Sequence, residues 1–151
     1  MSINSHEQAQ AQYDSIVTYV TALELDWDRY DELRNLAELS EDEKAEFEQL
    51  EVDANRCESY DDAVGDINND PLDVSVRSGW SAPGNLEPEE FRILLCTGGP
   101  AVQIIGDLNQ FNEPQSARLQ HQDWFEPWTD FDGSYDEGVL LTYCRQFYFG
   151  E

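Results

Sequence analysis

Lysine is almost missing from this chain: Lys44 stands alone beside seven arginines and 33 acidic residues in a sequence of 151. The resulting net charge of −25 argues against two large classes of partner, because nucleic acid and anionic lipid are themselves polyanions. A basic protein surface or multivalent cations fit such a charge instead. Histidine is as scarce, with His6 and His121 the two in the chain, and the three cysteines, Cys57, Cys96 and Cys144, are widely spaced. No CxxC or Cys/His spacing of a zinc site occurs, so reduced thiols in a cytoplasmic protein are the expectation. No aliphatic run exceeds four residues, which excludes a membrane-spanning helix. The first ten residues, MSINSHEQAQ, have neither the basic nor the apolar region of a secretory signal.

Glycine and proline are absent from residues 5–56, so nothing there interrupts a helix. Tyr13, Ile16, Val20, Leu23, Trp27 and Tyr30 recur at spacings of three, four, three, four and three, one helical stripe. Ser40 followed by Glu43 is a capping box and predicts a second helix from Glu41, with Phe47, Leu50 and Ala54 inward. Helices over 5–38 and 41–56 would then form an antiparallel hairpin. Ser59 and Asp62 predict a short third helix that ends before Asn68-Asn69-Asp70-Pro71.

The period changes after residue 71. Leu72, Val74 and Val76 alternate with Asp73, Ser75 and Arg77, the pattern of a half-buried strand. FRILLCT and AVQIIGDL flank a GGP turn, a hairpin signal, and SARLQHQDW reads as a fourth strand. Ser134 to Phe147 predicts a closing helix with Val139, Leu140, Tyr143 and Phe147 inward. With 40% hydrophobic and 12% aromatic residues, the chain can bury a core. The expectation is a single α+β domain over 1–151. An acidic helical part covers 1–70, and an antiparallel sheet of about four strands with a C-terminal helix covers 71–151.

Motifs that carry chemistry are missing. There is no GxGxxG, GxxxxGK[ST] or GxSxG. His121 and Asp123 share a strand face, which can begin a metal site or an acid–base pair, although a structural role is the commoner one. DINNDPLD begins like an EF-hand loop, but Pro71 stands where glycine is needed and Arg77 where glutamate is needed. No catalytic residue, metal or cofactor is assigned. Trp80, Trp124, Trp128 and Phe147-Tyr148-Phe149 read as core packing around the sheet, with DWFEPWTDF also able to supply an interface anchor.

The acidic residues are the feature left to explain. Residues 1–72 hold 20 acids against 4 bases, and residues 73–151 hold 13 against 4. SEDEKAEFEQLE, residues 40–51, packs six carboxylates into twelve positions. On helices, Glu24, Asp28 and Asp31 form one row and Asp42 and Glu46 another, while Glu41 and Glu48 share a face. Residues four apart lie about 6 Å apart along a helix, close to the through-space spacing of neighbouring phosphates, so two such rows can imitate a nucleic-acid backbone. The cost is like-charge repulsion of a few tenths of a kcal/mol per neighbouring pair, relieved locally by Lys44. A halophilic composition is a competing source of acidity, but the ten Gln, eight Asn and eighteen aromatic residues have the balance of an ordinary mesophile.

In size, acidity and expected cytoplasmic location the chain resembles the small anti-defence proteins of phages and plasmids, the anti-CRISPR and anti-restriction DNA mimics. The stretch RILLCTGGPAVQIIGDL…QDWFEPWT…LLTYCRQFYFGE, within residues 86–151, is also similar to a compact family of small proteins carried on bacterial mobile elements. The first resemblance implies a non-enzymatic inhibitor in a bacterial host. Its partner would be a basic nucleic-acid-binding protein of bacterial defence, a CRISPR effector or a restriction enzyme. Glu24, Asp28, Asp31, Glu41, Asp42, Glu46 and Glu48 are the expected contact residues. The rival readings are a protein-binding adaptor whose acidity is incidental and, from a different class, a metal-dependent hydrolase using scattered carboxylates.

Overall fold

The computed structural model describes residues 4–84 and 86–150. Among these residues it has five helices and a five-stranded antiparallel sheet in the simple meander order β1-β2-β3-β4-β5. The α+β class with its N-terminal helices and C-terminal helix is as the sequence predicts. The sheet has one strand more than expected.

The stripe from Tyr13 to Tyr30 does not lie on one helix. It is divided between α1 (Ser5–Leu23) and α2 (Trp27–Arg34). Asp26 makes the break: its side chain accepts the backbone N–H of Arg29 at 3.0 Å and so caps α2, a bond that competes with helix continuation. Trp27 then donates its indole N–H to the carbonyl of Ala22 at 3.0 Å, occupying an acceptor freed at the end of α1. The stripe survives the break, with Ile16, Val20, Leu23 and Tyr30 buried and Tyr13 and Trp27 packed partly against the core.

The helix α3 (Glu41–Asp53) begins with the predicted capping box, both of whose hydrogen bonds form. Its expected buried stripe does not form. No residue within α3 is buried; Phe47 and Leu50 are half-exposed, and Ala54, just past its end, is buried. The helix therefore does not form a long hairpin with a 5–38 partner. It leans mainly on α2, through the rings of Tyr30 and Phe47, 5.4 Å apart. α4 (Tyr60–Asn68) starts at the Ser59 cap as predicted.

The strands are β1 (Asp73–Ser78), β2 (Pro88–Cys96), β3 (Ala101–Asp107), β4 (Arg118–Gln122) and the two-residue β5 (Thr129–Asp130). Gly98 and Gly99, both at positive φ, turn β2 into β3, as GGP suggests. Phe91, Ile93 and Leu95 of β2, Val102 and Ile104 of β3 and Leu119 of β4 form the buried face. α1 lies against β3 and β4 on that face, and against α4 and α5 (Glu137–Cys144). Gly106 sits opposite Phe91, where a side chain would collide with the ring and with the carbonyl of Ser116. Leu140 and Tyr143 of α5 are fully buried, with Val139 and Phe147 at the margin of the core.

β1 departs from the half-buried strand expected of it. Its register sets Val74 opposite Ile93 and Val76 opposite Phe91, so these side chains lie on the helix-covered side. The cover stops short of this edge, leaving Val74 36%, Val76 46% and Leu72 61% exposed.

Candidate protein-binding surface

All seven acids singled out by their helical spacing are exposed: Glu24, Asp28, Asp31, Glu41, Asp42, Glu46 and Glu48. They are not arranged as two unbroken rows. Glu24 is the C-cap of α1, separated by the break from Asp28 and Asp31 on α2. Glu46 is engaged within the fold. Arg29 of α2 grips it with two N–H groups, Nε to Oε2 at 2.7 Å and Nη2 to Oε1 at 2.8 Å, and turns Nη1 to Glu32 at 2.9 Å. This fork holds the Glu46 carboxyl below the ordinary range. Relief of repulsion on α3 thus comes from another helix as well as from Lys44, which stands 3.5 Å from Glu41. Glu43 is also stabilised in its charged form, first by the backbone N–H of Ser40 that closes the capping box. Among the described residues, no cation forms an ion pair with Glu24, Asp28, Asp31, Asp42 or Glu48.

His121 and Asp123 do come together, with a residue the sequence did not single out. Ser5 Oγ lies 2.8 Å from His121 Nδ1 and 2.9 Å from Asp123 Oδ2, and the Ser5 backbone N–H donates to Asp123 Oδ1 at 2.9 Å. A Ser–His–Asp trio is the arrangement of a nucleophile, but here the protons run the wrong way. An ionised carboxylate only accepts, so the Ser5 hydroxyl hydrogen goes to Asp123 and His121 Nδ1 donates to Ser5. No base is left to activate Ser5, which is 1% exposed. The cluster is a structural clasp: Asp123 places a carboxylate at the N-terminus of α1 and fastens that helix to the end of β4. His6 adds a bond from Nε2 to Asp132 at 2.8 Å.

The thiols are also unsuited to attack, because the thiolate is the reactive form. Burial, with a hydrogen bond to Asp66, pushes Cys57 up to about 12. Burial raises Cys96 and Cys144 too. Among the described residues, no group of three or more His, Cys, Asp or Glu is placed to hold a metal ion, and no helix is long and apolar enough to cross a membrane.

The outer face of the sheet holds a groove of about 500 Å³, lined in part by Arg77, Arg92, Gln103, Ile105 and Trp128. Gln103 is 5% exposed and donates to Gln120 Oε1 at 2.8 Å, while Gln120 donates to Asp130 Oδ1 at 2.9 Å. Since Asp130 only accepts, this chain fixes both amide orientations and leaves Gln103 Oε1 without a donor.

The aromatic residues expected in the core divide. Phe149 is buried, and Phe147 and Trp128 are half-buried. Trp80, Trp124 and Tyr148 are exposed, and so is the neighbouring Phe125; Trp80 and Phe125 are exposed completely. Trp124 and Phe125 form a ring pair with centroids 6.0 Å apart beside the Gly98-Gly99 turn. The first six residues of DWFEPWTDF, 123–128, form a surface loop because β4 ends at Gln122 and β5 begins at Thr129, which leaves Trp124, Phe125 and Trp128 outside both ladders.

No protein-family model matches the chain, no curated protein matches it, and no solved structure matches it.

Proposed function

We propose that this chain is a non-enzymatic inhibitor whose acidic helices dock on a basic, nucleic-acid-binding surface of a bacterial defence effector. The observation that carries the reading is α3, a helix of thirteen residues with none buried and three acids in its first turn. A helix with no fully buried residue gains little from its own packing, yet this one concentrates like charge next to the equally exposed acids of α2. Such a surface accelerates encounter with a Lys/Arg channel. The assignment of the partner to bacterial defence rests on the resemblance in size and charge to anti-CRISPR and anti-restriction proteins.

Capture from a bacterial host lysate at low salt, salt elution and mass spectrometry would identify the partner. Asp28, Asp31, Asp42 and Glu48 are then replaced with Asn or Gln. The control neutralises Glu87, Asp107, Glu113 and Glu126, which are exposed and lie outside the helices. Both variants lose four charges. Mimicry requires a selective loss in the helical set, about 1 kcal/mol or more per desolvated contact, and competition with DNA or guide RNA. Equal losses without competition would defeat it.

The second reading is a protein-binding adaptor, favoured by the exposed Trp124–Phe125 pair, since aromatics dominate interface hot spots. If W124A/F125A abolished capture while the acidic variants retained it, the adaptor reading would replace the first.

A further inference from the structure

We propose that two copies of this chain associate through β1, antiparallel and in register about Ser75, to make one continuous sheet of twice five strands. β1 is the longer of the two edge strands of the sheet, the other being the two-residue β5, and an edge strand presents unpaired backbone donors and acceptors that template another strand. Proteins usually blunt such edges with lysine, proline or inward charge. From Leu72 to Ser78 this edge has no lysine and no proline, and it carries the exposed apolar residues Leu72, Val74 and Val76 on one side.

The occupant is read from the strand itself. Asp73-Val74-Ser75-Val76-Arg77 is symmetric in character about its centre. An antiparallel copy centred on Ser75 places Val74 opposite Val76 of the second copy, Asp73 opposite Arg77 of the second copy, and Ser75 opposite its own equivalent. A two-fold axis repeats each contact. Both kinds of pair, apolar and oppositely charged, favour cross-strand association.

The electrostatics also suit this edge. Each chain carries −25, so most of its surface repels a second copy. Around β1 the charges alternate: Arg77 donates to Glu90 at 2.7 Å, and Arg92 stands 4.0 Å from Asp73. These four side chains sum to zero, in a molecule whose exposed acids otherwise outnumber bases. The contact is a single strand pair, smaller than a standard interface of about 1,600 Å², so the association is weak and depends on concentration. It is independent of the acidic-surface reading.

Sedimentation equilibrium of the full chain, from low micromolar to near millimolar at physiological salt, should show the mean mass rising toward that of a dimer. V76K places a charge at a position already 46% exposed, so the fold survives, as circular dichroism would verify, and the rise should vanish. S75C tests the register. Opposed strand residues have Cα atoms about 4.5–5.5 Å apart, within disulfide range, so oxidised glutathione should link S75C into a dimer. Wild type, with Cys57 and Cys144 buried and Cys96 half-buried, should stay unlinked. A wild-type mass that stays monomeric, or a dimer indifferent to V76K, overturns the proposal. A V76K-sensitive dimer in which S75C does not crosslink overturns the Ser75 register.

Discussion

Tyr143, fully buried on α5, donates its hydroxyl hydrogen to Asp70 Oδ2 at 2.6 Å across 73 residues of sequence. The bond ties the last helix to the turn that follows α4. Burial, followed by this bond to Asp70, holds the Tyr143 phenol far above its usual range. Tyr19 faces the same carboxylate and is raised as well, first by burial and then by Asp70.

Y143F should therefore cost about 1.5–3 kcal/mol, the range for a hydrogen bond to a charged group. Urea unfolding checks it, with a lowered midpoint and an unchanged slope. The alkaline limb carries the sign. The unfolded phenol ionises near pH 10 while the folded one keeps its proton, so the contribution of Tyr143 is intact below about pH 10 and falls above it. Y143F should lose this component of the fall.

His121 carries the opposite linkage. Burial, helped by His6, holds its imidazole below the ordinary 6.5, and Asp123 and Asp132 only partly oppose the shift. Between the folded and unfolded values the unfolded chain takes up a proton that the folded chain refuses. Stability from this group is present above about pH 6.5 and is lost as pH falls. H121N retains an N–H donor toward Ser5 and does not titrate. Relative to H121N, wild type should lose stability between about pH 7.5 and 5.5; parallel pH profiles would show that the clasp is insensitive to His121 charge.

Arg29 and Ser40 are the ties of a helix with no buried residues. R29Q removes the fork on Glu46, and S40A removes the cap. Each should raise amide hydrogen exchange across 41–53 well before it affects β2 or β3, because local opening needs little apolar exposure there. Uniform acceleration across helix and sheet would mean that α3 is held by contacts spread through the fold.

Ionic strength should act on the whole molecule. With −25 on 151 residues, repulsion weakens as the screening length shortens from about 30 Å at 0.01 M to about 3 Å at 1 M. Thermal midpoints should rise between about 10 mM and 500 mM NaCl. Flat midpoints would show that pairs such as Arg29–Glu46 already offset the repulsion.

Local chemistry was legible where a signal and its response lie within a few residues. Ser40 and Glu43 form their box, Ser59 caps α4, Gly98 and Gly99 turn the hairpin, and FRILLCT, AVQIIGDL and SARLQHQDW supply β2, β3 and β4. The α+β order and the exposure of the seven helical acids followed from period and charge alone. The breaks and the burial did not. Asp26 reads equally as a helix residue or a cap, and the choice for a cap goes with Trp27 reaching the Ala22 carbonyl. Phe47, Leu50, Val74 and Val76 have core-type spacing, but burial needs a second surface, and none covers them fully. Glu46 reads as an unpaired acid until α2 brings Arg29 against it, and Ser5 has no visible tie to His121 and Asp123 until α1 meets the end of β4. The sequence by itself determined periodicity, caps, turns and net charge, because those depend on neighbours along the chain. Tertiary structure alone decided which apolar faces found cover and which charges found partners, because both depend on residues 17 to 118 positions away that only packing brings within bonding distance.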